Sequence, residues 1–412
     1  MSVAGRTQPD RQLVRNANFV LLVGGQFISQ IGDRLAMVAF PWLVYKTTGS
    51  AVSTGVVLAL FTLPYVLFGA VAGGVLDRID RRGVMVAADI ARGGLVLAVP
   101  FVATHSLDAV FALAFLTACA TVFFDPGLMA LLPDIVPPRE LLRANSVLAA
   151  SVNITEIVGY SFAGFIVYYV TLRTAFTVDA ATFGVSAVTL LAMTLRRESG
   201  PETGSKTIAR TKLRPAFWAD IREGFSYLRH HAGLRANTGL IVAVTAGVGA
   251  FYPLTFLLAV ERFHGTRSFG FMEAAIAVGY VSGSVLVGAL AKRLRKGLAI
   301  TTGLMLMGLC CALPWLLHSL PLILIDLVVL GAANAAMLIS IDTYVQATVP
   351  ANLRGRIWGV RFTLTQGAYA VGVLVAGALA ATVALGPLFG LCGLIVFVPA
   401  LVGLFLPAVR DI

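Results

Sequence analysis

Long apolar stretches recur along the chain, broken by short polar turns and loops. They fall at 17–45, 51–76, 84–104, 107–130, 143–170, 174–195, 236–262, 268–290, 298–318, 320–347, 357–383 and 386–408. Each is long enough to cross a hydrocarbon core of roughly 30 Å as a helix. Backbone groups in lipid must be paired internally, and none of these stretches has the short in–out alternation of a membrane barrel strand. The expected class is therefore all-α membrane, with twelve transmembrane helices.

One long polar segment interrupts the pattern, at about 196–235. It begins with Arg-Glu-Ser-Gly-Pro-Glu-Thr-Gly-Ser-Lys, the composition of a flexible linker. Beyond Pro215 it turns amphipathic, with Trp218, Ile221, Phe225 and Leu228 on one helical face and Arg222, Glu223 and Arg229 around the rest. That pattern predicts an interfacial helix. The segment divides the chain into a bundle over 1–195 and a second over 236–412. A repeat relates the two. Gly74-Val-Leu-Asp-Arg-Ile-Asp-Arg-Arg-Gly83 recurs as Gly288-Ala-Leu-Ala-Lys-Arg-Leu-Arg-Lys-Gly297 at an offset of 214, and Val136-Pro137 recurs as Val349-Pro350 at an offset of 213. Two six-helix, pseudo-symmetric bundles follow.

Charge gives the bundles an orientation. With an even number of helices both termini share one side. That side then holds 24 of the 31 Lys and Arg; the opposite loops hold four, and Arg34, Arg92 and Arg361 lie inside spans. The positive-inside rule makes the rich side, and both termini, cytoplasmic. The net charge of +11 is thereby explained by loops facing anionic lipid, and nucleic acid is not needed as a partner. An apolar content of 58% with 12% charged residues excludes a soluble globular chain. The first stretch follows Arg6, Arg11 and Arg15 and is too long for a cleaved signal sequence. Cys119, Cys310, Cys311 and Cys392 sit in apolar stretches without metal or disulfide spacing. There is no Walker-type loop and no His cluster, so neither an enzyme active site nor a cofactor or metal site is expected.

Acids inside spans are the candidate machinery, because an ionised carboxylate at mid-bilayer costs about 2.5–3.5 kcal/mol or more. Asp33 and Glu156 lie deepest. Asp33 shares a face with Gln26, Gln30 and Met37, and Glu156 shares one with Asn153 and Tyr160. Asp33, Glu156, Gln30, Asn153 and Tyr160 are thus the candidates for proton coupling and substrate contact; an ion pair of Asp33 with Arg34 or another helix is the alternative. Asp89 and Arg92, three apart, suit a salt bridge. Arg361 needs an acid, and Asp342 is at comparable depth. Glu273, Asp179, Glu261 and Asp326 fall near external ends, where hydration or pairing is expected. Around the loop after the second helix, Asp77, Arg78, Asp80, Arg81 and Arg82, with Asp134 and Arg143, form a candidate cytoplasmic gate. Asp77 would meet the start of the eleventh helix near Arg354–Arg356, and the arginines would reach Asp80, Asp134 or lipid phosphates. The second copy has Ala291 where the first has Asp77, so the latch is expected to be asymmetric.

Gly73-x-x-x-Asp77-Arg78-x-x-Arg81-Arg82 resembles the signature of the major facilitator superfamily between its second and third helices, with Asp80 at the usual glycine. Gly32-Asp33-Arg34, Pro41-Trp42, Ala88-Asp89-x-x-Arg92, Phe124-Asp125-Pro126, Leu132-Pro133-Asp134, Ala144-Asn145 and Leu353-Arg354-Gly355-Arg356 are similar to its drug and siderophore exporter group. That group includes macrolide efflux proteins, Tap-type multidrug pumps and the enterobactin exporter. Where such exporters often carry Gly-Pro in the fifth helix, Gly159-Tyr160-Ser161-Phe162-Ala163-Gly164 has no proline. The resemblance implies a secondary transporter of the bacterial inner membrane, and a monomer is expected because one chain contains both halves. It would exchange drugs for protons, or for Na+, by alternating access, with lipids as its other partners. Export of a metabolite such as a siderophore and translocation of lysolipid are the alternatives.

Overall fold

The computed structural model describes residues 12–76, 80–194, 213–263, 265–290, 296–350 and 353–405. Among these, every regular element is helical. A short α1 (Gln12–Arg15) leads into α2 (Ala17–Thr48), α3 (Ala51–Leu76), α4 (Arg81–Val102), α5 (Leu107–Ile135), α6 (Leu141–Tyr169) and α7 (Leu172–Ala192). The amphipathic α8 (Leu213–His230) follows. Then come α9 (Ala232–Arg262), α10 (Thr266–Leu290), α11 (Lys296–Ala312), α12 (Leu320–Thr348), α13 (Arg354–Leu379) and α14 (Leu385–Phe405).

Side-chain caps set several of the starts. Asn16 accepts from the Phe19 amide at 3.1 Å, and Asp80, Ser106 and Thr171 each accept from the amide three residues on at 3.2 Å. Gly49 ends α2 at φ 63°, a backbone setting that disfavours other residues.

Eleven of these helices are long and apolar enough to span a bilayer. The twelfth expected span, α2, has 32 residues, but Gln26, Gln30, Asp33 and Arg34 interrupt its apolar pattern and keep it outside that set. The outward faces expose Val188, Val285, Leu316 and Leu394 by 58% or more. Such a surface is stable in hydrocarbon and costly in water.

Helices α2–α7 pack among themselves, as do α9–α14, and the two sets meet chiefly through α3 with α13 and α6 with α10. Glycine makes both seams possible. A Cβ on Gly55 would stand 2.9 Å from the Gly377 Cα, and one on Gly164 would stand 2.9 Å from the Gly270 Cα. Only residues without a side chain let the backbones approach this closely.

The hydrophobic core reveals where the sets are joined. One cluster unites Phe40, Phe61 and Phe176 with Phe251, Phe256, Phe269 and Phe389 from the other set. Toward the opposite end the core splits. Phe19, Met85, Phe124 and Leu132 form a cluster of the first set alone, and Ile241, Ile300, Met307 and Ile341 one of the second. The molecule is therefore sealed at the end bearing the α2–α3 turn and parted at the end where α3 finishes and α4 starts.

Candidate substrate and coupling site

Within the first helix set the polar face of α2 lines a cavity of about 480 Å³, whose wall is drawn from α2–α7. Gln26, Gln30, Asp33 and Met37, spaced by three or four residues, all face it, as the helical period dictates. Gln30 accepts a hydrogen bond from the Thr155 hydroxyl at 2.8 Å, and Gln26 donates to Ser186 at 3.3 Å. These bonds hold α2 against α6 and α7.

Arg92 of α4 is the electrostatic centre of this cavity. Its guanidinium stacks between the Phe124 and Phe183 rings, 4.4 Å from each centroid, and is almost wholly buried. It pairs closely with Asp89, one helical turn back, and stands 3.7 Å from the Asp33 carboxylate. One buried cation thus serves two acids, tightly on one side and loosely on the other. A buried cation held by rings and carboxylates is stable where a lone one is not. Asp33 is paired through Arg92 of another helix rather than through its neighbour Arg34.

Arg34 turns instead toward α6. Its guanidinium lies 2.6 Å from Glu156 and 5.3 Å from the centre of the Tyr160 ring. Glu156 has no basic neighbour in its own helix, so its partner had to come from elsewhere in the fold. The five residues singled out from sequence are accordingly brought to one region, but not to one cavity. Gln30 and Asp33 face the first, whereas Asn153 and Glu156 face a second of about 360 Å³, bounded by α6, α10 and α12. The Arg34–Glu156 pair stands between the two, Arg34 on the wall of one and Glu156 on the wall of the other.

Two residues were not singled out as a site. Asp125 lines the first cavity and accepts a hydrogen bond from the Tyr65 hydroxyl at 3.1 Å. An acid in the middle of an apolar helix was the available signal. Glu273 is the second. It was expected to be hydrated or paired near an external end, but it is 9% exposed and one of its carboxylate oxygens has no partner. Asp179 and Asp326 are buried too, Asp179 with both oxygens unpartnered and Asp326 with one. Glu261 is exposed as expected and accepts from Tyr45 across the sealed end at 3.2 Å, while Asp326 finds its one partner in Cys310 rather than in water. The misreading has a physical source: the sealed end is packed protein, and depth counted along a helix does not measure distance to water.

Arg361 corrects a further expectation. Its guanidinium donates to Asn237 at 3.0 Å and Thr238 at 2.8 Å, both on α9, and makes no ion pair with Asp342. Neutral acceptors on the adjoining helix are closer than the acid on α12.

Of the candidate gate, Asp77 and Arg78 lie outside the described residues. Asp80 caps α4, and Arg81 reaches Asp134 at 2.9 Å together with the Ala130 carbonyl at 3.0 Å. Arg82 donates to the Leu191 carbonyl near the end of α7, and Arg143 pairs with Glu140 at 3.7 Å. Each of these contacts stays within the first helix set, on its side of the parted end. Arg356, at the start of α13, pairs with Glu223 of α8.

Two sets of apolar-faced helices, joined at one end and parted at the other, with buried ion pairs beside polar cavities, suit a membrane transporter. The Major Facilitator Superfamily model matches residues 22–296 and 239–411, together nearly the whole chain. The chain belongs to that superfamily. Its members are transporters rather than enzymes. Multidrug efflux pump Tap of Mycobacterium tuberculosis is 29% identical over 97% of this chain and 96% of its own. Macrolide efflux protein A of Streptococcus pyogenes is 26% identical over 73% of each. A crystal structure of the nucleoside transporter NupG superposes with a TM-score of 0.76 at 13% identity, covering 94% of this chain and 99% of that one. At that identity the likeness concerns the fold. The protein is thus a multi-pass membrane protein of a superfamily that includes drug exporters.

Proposed function

We propose that this protein is a proton-coupled exporter of lipophilic or cationic drugs that works by alternating access. The likeness to Tap and to macrolide efflux protein A supports the cargo class. The observation that carries the coupling is the placement of Asp33 and Glu156 at cavity walls, each beside an arginine from another helix. A proton arriving on Glu156 removes the charge that holds Arg34 and loosens α2 from α6. A proton on Asp33 leaves Arg92 to Asp89 alone. Each event changes the charge inside the first helix set, whose α6 packs on α10 across the seam that rearranges when the sealed and parted ends exchange. Proton binding and cargo binding then compete for the same carboxylates, which is the requirement of an exchanger.

In this reading α2 is the first of twelve spans, and residues 1–195 and 236–412 are the two rocking bundles joined by 196–235. Both termini face the cytoplasm of a bacterial cell, so the parted end is the cytoplasmic one. A monomer suffices, because one chain supplies both helix sets and the walls of both cavities. Asp77, Arg78, Asp80, Arg81, Arg82, Asp134 and Arg143 then flank the cytoplasmic entrance as a gate.

Proteoliposomes with an imposed pH gradient test the proposal. Drug movement should follow the gradient in the wild type and become independent of it in Asp33→Asn and Glu156→Gln. Gradient-driven movement that survives both substitutions would sink the coupling scheme, and a requirement for Na+ in its place would reassign the ion.

A further inference from the structure

The second cavity has features that coupling at Asp33 does not use. It lies between α6, α10 and α12 and so takes its walls from both helix sets. Asn153 and Glu156 enter from α6, Glu273 and Tyr280 from α10, and Asn334 from α12. The Glu156 charge is already matched by Arg34 at 2.6 Å. Glu273 has no ion-pair partner among the described residues, and its Oε1 accepts no hydrogen bond although it is sealed from solvent. It sits one helical turn deeper than Gly270, whose contact with Gly164 is part of the seal. Glu273 therefore lies at the floor of the opening, directly beneath the plug.

A buried carboxylate with no counter-charge is costly unless something bound there supplies the charge or donor. The rest of the wall indicates what kind of group that is. Val152, Ile276 and Ala277 add an apolar side to a wall otherwise made of Asn153, Glu156, Glu273, Tyr280 and Asn334, a mixed surface that suits an organic group carrying a charge. A volume of about 360 Å³ is also far larger than one dehydrated ion requires. Two carboxylates, one tyrosine ring and an apolar side formed by Val152, Ile276 and Ala277 are the chemistry that holds an ammonium or phosphonium group with hydrophobic flanks.

The geometry points to Glu273, with Asn334 and Tyr280, as a subsite for the cationic group of a lipophilic organic cation, distinct from the Asp33–Arg92 cavity. This rests on the drug-export reading and adds a charge-recognition site on the second helix set. A cation seated there also faces Glu156, so it competes with Arg34 for that acid. Cargo binding would then loosen the same α2–α6 tie that protonation of Glu156 loosens.

Equilibrium binding of radiolabelled tetraphenylphosphonium to the purified full-length protein tests the subsite. Glu273→Gln should weaken binding by about tenfold or more, the scale of losing one charged partner, and Glu273→Asp should recover part of it. If Glu273→Gln does not yield a monodisperse protein, Asn334→Leu and Tyr280→Leu carry the test, each expected to weaken binding severalfold. Exchanging K+ for Na+ at constant ionic strength should leave wild-type affinity unchanged. Unaltered affinity in the variants, absence of binding to the wild type, or displacement by Na+ would each overturn the assignment. Gradient-driven drug transport by the wild type, measured on the same preparation, shows separately whether the export reading stands.

Discussion

The Arg34 guanidinium lies 2.6 Å from the Glu156 carboxylate, joining α2 to α6 between two cavities. Both side chains are part-exposed to those cavities, at 21% and 32%, so water screens the pair to some degree. Its contribution should lie between that of a surface pair and that of a buried one, about 1–2 kcal/mol. Arg34→Ala and Glu156→Gln should each lower the thermal midpoint of the detergent-solubilised protein. The double variant should lose less than the two losses added together, because the second substitution removes a partner already unmatched. Strict additivity would mean that the two charges do not interact.

Arg92 should tolerate change far less. Its removal leaves Asp89 fully buried without a counter-charge and deprives Asp33 of its nearest cation. Breaking such a pair from one side costs about 3–5 kcal/mol, enough to prevent accumulation of many membrane proteins. Arg92→Ala is expected to be nearly absent from membranes in an immunoblot. Arg92→Lys keeps the charge but not the flat group that fits between Phe124 and Phe183, and should accumulate to an intermediate level. Full abundance of the alanine variant would contradict a central structural role for the guanidinium.

These two arginines show how far the sequence could be read. Apolar run length sets the helices directly, and the repeat at an offset of 214 pointed to a division into two sets. Periodicity placed Gln26, Gln30, Asp33 and Met37 on one face, and that face lines the cavity. Asp89 and Arg92 are neighbours on one helix, so their pairing was legible from spacing alone. The partners of Arg34 and Glu156 were not, because the pair joins residues on different helices more than a hundred positions apart. Arg361 illustrates the same limit: its acceptors lie on α9, and depth along a helix could only suggest Asp342. Glu273 was misplaced because its helix start is buried against Gly164 rather than surrounded by water.

The Gly164–Gly270 contact should govern which end is open. A Cβ on Gly270 would meet backbone atoms of Tyr160 and Gly164, which cannot move aside as a flexible side chain would. Gly270→Val is therefore expected to force α6 and α10 apart at the sealed end. Spin labels on Thr47 and His318, one at that end of each helix set, should report a longer distance in the variant than in the unsubstituted parent. An unchanged distance distribution would mean that the remaining core at that end, including Phe40, Phe256 and Phe269, holds the seal without it.

Asp179 should behave in the opposite sense to Arg92. It is fully buried between α7 and α2, packed beside Gly32 and Thr182, and neither carboxylate oxygen has a hydrogen-bond partner. A buried polar group without partners costs about 1–3 kcal/mol, so an apolar side chain branched at the same carbon removes a penalty rather than a contact. Asp179→Leu is expected to raise the thermal midpoint, or at least to preserve it, where most substitutions at a fully buried site lower it. Stability and transport need not change together. An acid placed at such a cost to stability suits a functional role, so the same variant should lose drug transport while gaining heat resistance. A lower midpoint would show that the carboxyl group makes a stabilising interaction in the membrane. A higher midpoint with full transport would show that the acid is dispensable for the exchange.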